Sequence, residues 1–272
     1  EERKRFNMMR GRIEIWDREK RQCKAVSEGS EPGLFYQDCY EEGDFILLSG
    51  LVPGKAYRVR LDACLDEVLL YAKKDSFRYE IPFGEAASTY PPMAFTKGSG
   101  LLYLREASPE EDGAYRNLAL NPYDQHGETG IFPHAHANVE TRGEAVFAAK
   151  NAIDGVKLCQ GHGRWPYQSW GINRRADAEW HLEFGRPVDL RELVLYTRAD
   201  FPHDNWWVKA ELSFSDGSSL SLDLEKRNGE GQHFPVDKKG IRSLCLRELI
   251  PADDPSPFPA LTELEAYGYP SR

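Results

Sequence analysis

Long apolar runs are missing from the sequence. None approaches the ~18 residues that a membrane-spanning helix requires. Basic charge is also short, with 35 Lys and Arg against 44 Asp and Glu and a net charge of −9. That balance provides no basic face for nucleic acid or for an anionic membrane surface, so neither is an expected partner. Cysteine is sparse. Cys23, Cys39, Cys64, Cys159 and Cys245 are odd in number, widely spaced and without a CxxC pair. The spacing excludes a disulfide framework and carries no metal-thiolate signature, and free thiols are expected. There is no G-x-S-x-G, H-E-x-x-H, P-loop or G-x-G-x-x-G pattern to announce a familiar chemistry. Helical periodicity is equally scarce. The opening stretch EERKRFNMMRGR lacks the apolar core of a secretion signal and begins with Glu instead of Met. Reduced cytoplasm is the expected setting.

What the sequence does hold is a succession of short alternating segments. Of its 272 residues 40% are hydrophobic, enough for a packed core. Strands are expected at 12–16, 44–50, 56–62, 67–72, 77–83 and 100–107, then at 178–185, 192–198, 208–215, 219–224, 243–249 and 263–269. Turn chemistry separates them, as in VPGK (52–55), KGSG (97–100) and SDGSS (215–219). In AYRVRLD (56–62), Tyr57, Val59 and Leu61 alternate with Arg58, Arg60 and Asp62, the pattern of a strand with one buried face. FAAKNAIDG (147–155) is the one short helical candidate, and 125–143 has no period. The acidic stretch SPEEDG (108–113) marks a boundary. The expectation is an all-β chain of two tandem antiparallel β-sandwich domains, 1–113 and 114–272.

In the second half a set of motifs falls in a recognisable order: AAKNAIDG (148–155), SW (169–170), EWHLEFGRPVDLRELVLYTR (179–198), FSDGSS (214–219) and ALTELEAYGY (260–269). This order resembles the discoidin, or coagulation factor V/VIII type C, family. It is also similar to the galactose-binding-like carbohydrate-binding modules that share its jelly roll. The resemblance covers residues from about 116 to 272. It implies ligand binding on loops at one end of the sandwich, with the loop after ELVLYTR supplying an Arg and an Asn. Those positions are Arg198 and Asn205. The resemblance further implies a structural Ca²⁺ beside the A-x-D-G loop, held by Asp154 and Glu263; otherwise no cofactor is expected. Sugar-binding relatives carry His directly after the Trp that matches Trp170, whereas this chain has Gly171, so His162 or His203 would have to stand in for it.

The composition of the loop TRADFPHDNWW (197–207) fits the same reading on physical grounds. A sugar presents hydroxyls that donate and accept, together with apolar C–H faces. Fixed Arg, Asp, Asn and His groups and a ring to stack on suit it. Arg198, Asp200, His203, Asn205 and Trp206 are therefore candidate contacts. A second cluster, GHGRWPYQSW (161–170), adds His162 and Trp165, with Tyr167 beside them. Plainer roles exist for each. Of the adjacent Trp206 and Trp207, at least one must face the core. Arg198 could pair with Asp200 or Asp204 only to stiffen the loop, and the 161–170 rings could form a buried plug. His134 and His136, in PHAH, could chelate a transition metal, but no third ligand is evident. The expected function is non-catalytic binding of a mono- or oligosaccharide. Two alternatives stand: a glycosidase or lyase using acids in the 197–207 loop or Asp62 or Asp66, and an interaction or homo-oligomerisation module docking through the Trp-rich end.

Overall fold

A computed structural model of the chain describes residues 10–127, 129–160, 163, 165–199 and 205–271. The chain divides into two units, Glu1–Phe83 with Met93–Asp112, and Gly84–Pro92 with Gly113–Arg272. The break at 112/113 falls in the acidic stretch. The segment 84–92 departs from a clean cut and belongs to the second unit.

The first unit contains β1 (Gly11–Asp17), β2 (Gln22–Gly29), β3 (Gly33–Tyr36), β4 (Phe45–Ser49), β5 (Ala56–Arg60), β6 (Val68–Ala72), β7 (Ser76–Glu80) and β8 (Gly100–Glu106). They form antiparallel sheets in the orders β2-β1-β4-β7 and β6-β5-β8-β3. Alternation explains the pairing. Ile13, Ile15, Ile46 and Leu48 are buried from the first sheet, and Tyr57, Val59, Leu70, Leu102 and Leu104 from the second. β2 was not expected. No residue in it is fully buried, so it carries no hydrophobic alternation and forms through its ladder to β1. Asp62, expected to point outward, is buried. Its carboxylate accepts from the backbone N–H of Cys64 and of Phe95, both at 2.8 Å, and from Ser99 Oγ at 2.6 Å. It ties a turn together, which removes it as a candidate catalytic acid; Asp66 is exposed.

The second unit contains β9 (Arg116–Asn117), β10 (Ile131–Phe132), β11 (His134–Ala137), β12 (Trp170–Gly171), β13 (Trp180–Arg198), β14 (Trp207–Phe214), β15 (Ser219–Asp223), β16 (Gln232–Pro251) and β17 (Ala260–Pro270). Its main path runs β12-β17-β13-β16-β14-β15, with β11 on β13 and β9 on β17, all antiparallel. The two expected strands at 178–185 and 192–198 are one continuous strand, and β16 begins well before 243. Both long strands serve two neighbourhoods. The start of β13 pairs with β11 and the end of β16, while its second half pairs with β17 and the start of β16. Register breaks between Glu183 and Glu192 let the strand turn this corner. The inward set shifts accordingly, from Trp180, Leu182 and Phe184 to Val188 and Leu190, then Leu193 and Leu195. Gly185, at φ +76°, takes the left-handed conformation there, where a Cβ would strike Phe132. The helical candidate at 147–155 forms only 3₁₀ turns, Ala145–Phe147 and Ala149–Ile153. No helix among the described residues is long and apolar enough to cross a membrane. All five cysteines are free thiols.

Candidate functional site

Arg198 ends β13, and the strand register opposes it to Ala260 at the start of β17. Its side chain is only 3% exposed, yet it lines a cavity of about 220 Å³ on the second unit. The guanidinium carbon lies 4.2 Å from the centroid of the Tyr167 ring. This cation–π contact fixes the fork against a rigid partner. Tyr167 in turn meets Phe147 edge-on, with centroids 6.0 Å apart. Tyr167 and the end of β13 therefore meet.

Three further stretches of irregular backbone complete the wall. Thr141 and Arg142 come from the loop after β11, Asn173 and Arg174 follow β12, and Pro257–Pro259 precede β17. Thr141 Oγ1 accepts the Asn173 N–H at 2.9 Å and locks two of these loops together. Arg142 pairs with Glu144 at 2.6 Å, and Arg174 lies over the Phe258 ring at 4.5 Å. The described lining thus combines three guanidinium groups, a hydroxyl, an amide and three rings. Gly171 lies in the same wall. A Cβ there would sit 2.6 Å from Thr141 Oγ1 and 3.1 Å from the Phe147 ring, so the position has no room for a side chain without rearrangement. Arg142, Arg174 and Phe258 escaped the sequence reading because they lie in stretches without hydrophobic period, and Phe147 because it was read only as the start of a helical candidate. The only available signal was the concentration of Gly, Pro, Arg and aromatic residues.

The other candidates are placed differently. Asn205 is buried and turned to the backbone. Its amide donates to the Ala252 carbonyl at 3.1 Å, and its oxygen accepts the Trp206 N–H at 2.7 Å. Trp206 is half-buried with Lys226 Nζ 4.7 Å from its ring centroid, while Trp207 is the core member of the pair. Trp165 is half-buried. None of Asn205, Trp206 and Trp165 is among the cavity's described lining residues. Asp200, His203, His162 and Asp204 lie outside the described residues.

Asp154 and Glu263 do meet. Gly155 N–H donates to both Glu263 oxygens at 3.2 Å, and Asp154 accepts from Val156 N–H at 2.8 Å and from Gln168 Nε2 at 2.9 Å. Burial pushes Asp154 up to about 6. Burial, and then the charge of Asp154, push Glu263 well above the usual carboxylate range. Two confined carboxylates, with the charge of Asp154 raising Glu263, form a hard-oxygen donor pair whose repulsion a cation would relieve. Such donors fit Ca²⁺ in kind. Lys157 stands beside them on Glu265 at 2.6 Å and supplies some positive charge of its own.

A family model described as Domain of unknown function (DUF7402) matches residues 131–250. No curated protein matches the chain. Among solved structures, the chain is similar to a Streptococcus pneumoniae fucose binding module, at 16% identity over 57% of this chain and 98% of that one, with a TM-score of 0.39. It is similar to the family 32 carbohydrate-binding module of C. perfringens NanJ, solved in complex with galactose, at 17% identity over 49% and 91%, with a TM-score of 0.37. It is also similar to the lectin binding domain of Lectinolysin complexed with Lewis b, at 17% identity over 57% and 98%, with a TM-score of 0.41.

Proposed function

We propose that the cavity around Arg198 binds a saccharide without transforming it, and that an acidic sugar is the preferred ligand. The observation that carries this reading is the placement of Arg198: buried at a strand end, held over Tyr167, and still facing the cavity. A guanidinium fixed in this way offers a planar fork to two vicinal hydroxyls or to one carboxylate. Arg174 adds a second cationic group to the described lining and Arg142 a third, which Glu144 pairs, against an overall charge of −9. A ligand carboxylate or sulfate would use that local excess. Thr141 and Asn173 supply neutral donors and acceptors, and the rings of Tyr167, Phe147 and Phe258 cover C–H faces. The volume is below the roughly 300–1,000 Å³ of drug-sized clefts, which suits one sugar ring at the end of a chain.

Calcium at Asp154 and Glu263 belongs to the same proposal, as a support for the loop 154–157 and not as a participant in ligand contact. When bound, the ion would neutralise the two carboxylates.

Calorimetric titration with a panel of neutral and uronic or sulfated saccharides tests the reading. The expected Kd is about 10⁻³ to 10⁻⁵ M, equivalent to about 4–7 kcal/mol. Acidic ligands should be favoured and their affinity should fall with salt. Arg198→Ala should cost at least ~30-fold, or about 2 kcal/mol, with the fold retained. Arg198→Lys should recover only part of it, because an ammonium lacks the fork. Absence of saturable binding across the panel would overturn the proposal. Turnover of any glycan, lost with a single carboxylate substitution, would replace it with the enzyme reading. Self-association abolished by Trp206→Ala would favour the assembly reading.

A further inference from the structure

The outer face of the second unit's sheet carries a row of side chains that the cavity does not use. Strand register opposes His136 on β11 to His181 on β13, His181 to Cys245 on β16, and Cys245 to Ser213 on β14. Directly opposed residues on antiparallel strands share a face and stand close together. The residues between them, Trp180, Leu182, Leu244 and Leu246, point into the core, so the row points out. Glu179 and Glu183 flank His181 at spacings of two and lie on the same face.

The distances within this row approach those of a coordination sphere. His181 Nε2 is 3.8 Å from Cys245 Sγ and 3.5 Å from Glu179 Oε2. The ligand atoms of Glu179, His181 and Cys245 all lie within 4.8 Å of one another, and all three residues are half-buried. Donors at ~2.0–2.3 Å around a tetrahedral ion stand about 3.3–3.7 Å apart, so only small rotations are needed to close the set. His136 stacks on His181 with centroids 4.8 Å apart and planes 11° from parallel, which holds the His181 ring upright over the sheet. His134, the other imidazole of PHAH, is taken: its Nδ1 lies 2.7 Å from Asp124 Oδ1 in a buried pair.

We propose that Glu179, His181 and Cys245 bind a divalent transition-metal ion of borderline softness, with Zn²⁺ as the type. An imidazole nitrogen, a thiolate and one carboxylate form a mixed N/S/O donor set. That set suits Zn²⁺ and disfavours Ca²⁺ or Mg²⁺, which take oxygen ligands. On binding, the Cys245 thiol releases its proton to solvent and its sulfur becomes the ligand. Three protein donors leave the fourth tetrahedral position to water or to His136. The ion would join β13 to β16 across the sheet face. This site is separate from the saccharide proposal and shares no residue with it.

The test uses the tag-free full chain, stripped with chelator and then titrated with Zn²⁺ alone, and with Co²⁺ as a spectroscopic probe. One equivalent should bind, with a Kd of about 10⁻⁶ M or tighter, and the Co²⁺ form should show thiolate-to-metal charge transfer. Cys245→Ser should abolish that band and lower Zn²⁺ affinity at least tenfold, as should His181→Ala. Cys39→Ser, at an exposed thiol, should change neither. Circular dichroism checks that the variants fold. Should they not, alkylation of the unmodified protein followed by mass spectrometry gives the second readout, with Zn²⁺ expected to shield Cys245 at least tenfold and leave Cys39 and Cys64 reactive. No binding, binding indifferent to Cys245 and His181, or equal alkylation of Cys245 with and without Zn²⁺ would each overturn the proposal.

Discussion

The cavity and the His–Cys row lie on the same unit, yet they gather their chemical groups by opposite means. The cavity is assembled from loops. It needs Arg142, Asn173 and Arg174 in the left-handed region, at φ +54°, +49° and +61°, and for a non-glycine residue that conformation costs of order 1 kcal/mol each. Polar anchors hold these loops in place. Glu140 caps the Ala149 N–H at 2.7 Å, Asn151 Nδ2 donates to the Ala145 carbonyl at 2.9 Å, and Trp170 Nε1 donates to the Val139 carbonyl at 2.9 Å. The row needs none of this. His136, His181 and Cys245 are brought together by the backbone ladder that also builds the core, with Glu179 one residue before β13. The contrast is between concavity and flatness. Loops can surround a polyol but must be anchored, whereas a sheet face offers only point ligands in a line, which is enough for an ion.

Substitutions can separate the two places, and after Arg198→Ala the largest expected effect is at Gly171. Gly171→Ala puts a methyl against Thr141 Oγ1 at 2.6 Å, the atom that also holds the Asn173 N–H. Overpacking of this kind costs about 1–3 kcal/mol. Saccharide affinity should fall at least ~10-fold and Tm by several degrees, while Zn²⁺ affinity stays within twofold. Calorimetry with both ligands on one sample measures this directly. Unchanged saccharide affinity in a folded variant would move the binding site away from this cavity.

A smaller effect is expected from Glu263→Gln. Its carboxyl and that of Asp154 are raised in the folded state, so the folded protein holds protons that the unfolded chain releases. The contribution of these two groups to the stability of the metal-free protein should therefore be greatest below about pH 4, where both are protonated in the folded and the unfolded chain alike. It should decline as pH rises toward and past 6, the value for Asp154. Glu263→Gln should flatten that decline and raise the metal-free Tm at pH 7 by about 2–4 °C for each kcal/mol of repulsion relieved. It should also cancel any rise in Tm on adding Ca²⁺. A rise on adding Ca²⁺ that survives the substitution would place the ion elsewhere. Metal binding to the His–Cys row should be indifferent to the change.

The same contrast governs what could be read before the structure. Alternation located β4, β5, β6 and β14 within a residue or two, because each buries one face. It could not reveal β2, which buries nothing fully, or the first half of β16, where Phe234, Val236 and Lys238 are only half-buried between exposed residues. It also split β13 in two, because the corner around Gly185 to Pro187 reads as a turn. At the cavity, Arg198 and Tyr167 were legible as chemistry on a strand end and in an aromatic cluster. Arg142 and Arg174 were not, since left-handed loop residues leave no period. The row across β11, β13 and β16 was invisible for another reason. His136, His181 and Cys245 are far apart in sequence, and only the register, which follows from long-range pairing, makes them neighbours.

The smallest expected effect is the most diagnostic for the loop at 197–207. Trp206 has the composition of a sugar platform, but its ring lies under Lys226 and outside the cavity's described lining. Its backbone is held independently of the ring, by the Asn205 oxygen on its N–H and by the Ala252 N–H, which donates to its carbonyl at 2.9 Å. Trp206→Ala should therefore remove an exposed cation–π contact of about 0.5–1 kcal/mol and leave the loop path intact. Tm should fall by a degree or two, with saccharide affinity within twofold of the unsubstituted protein in the titration used for Arg198→Ala. A loss of tenfold or more would mean that a bound ligand extends from Arg198 along this loop to the indole. The site would then be a groove that accepts an oligosaccharide, with Arg198 at one end and Trp206 at the other.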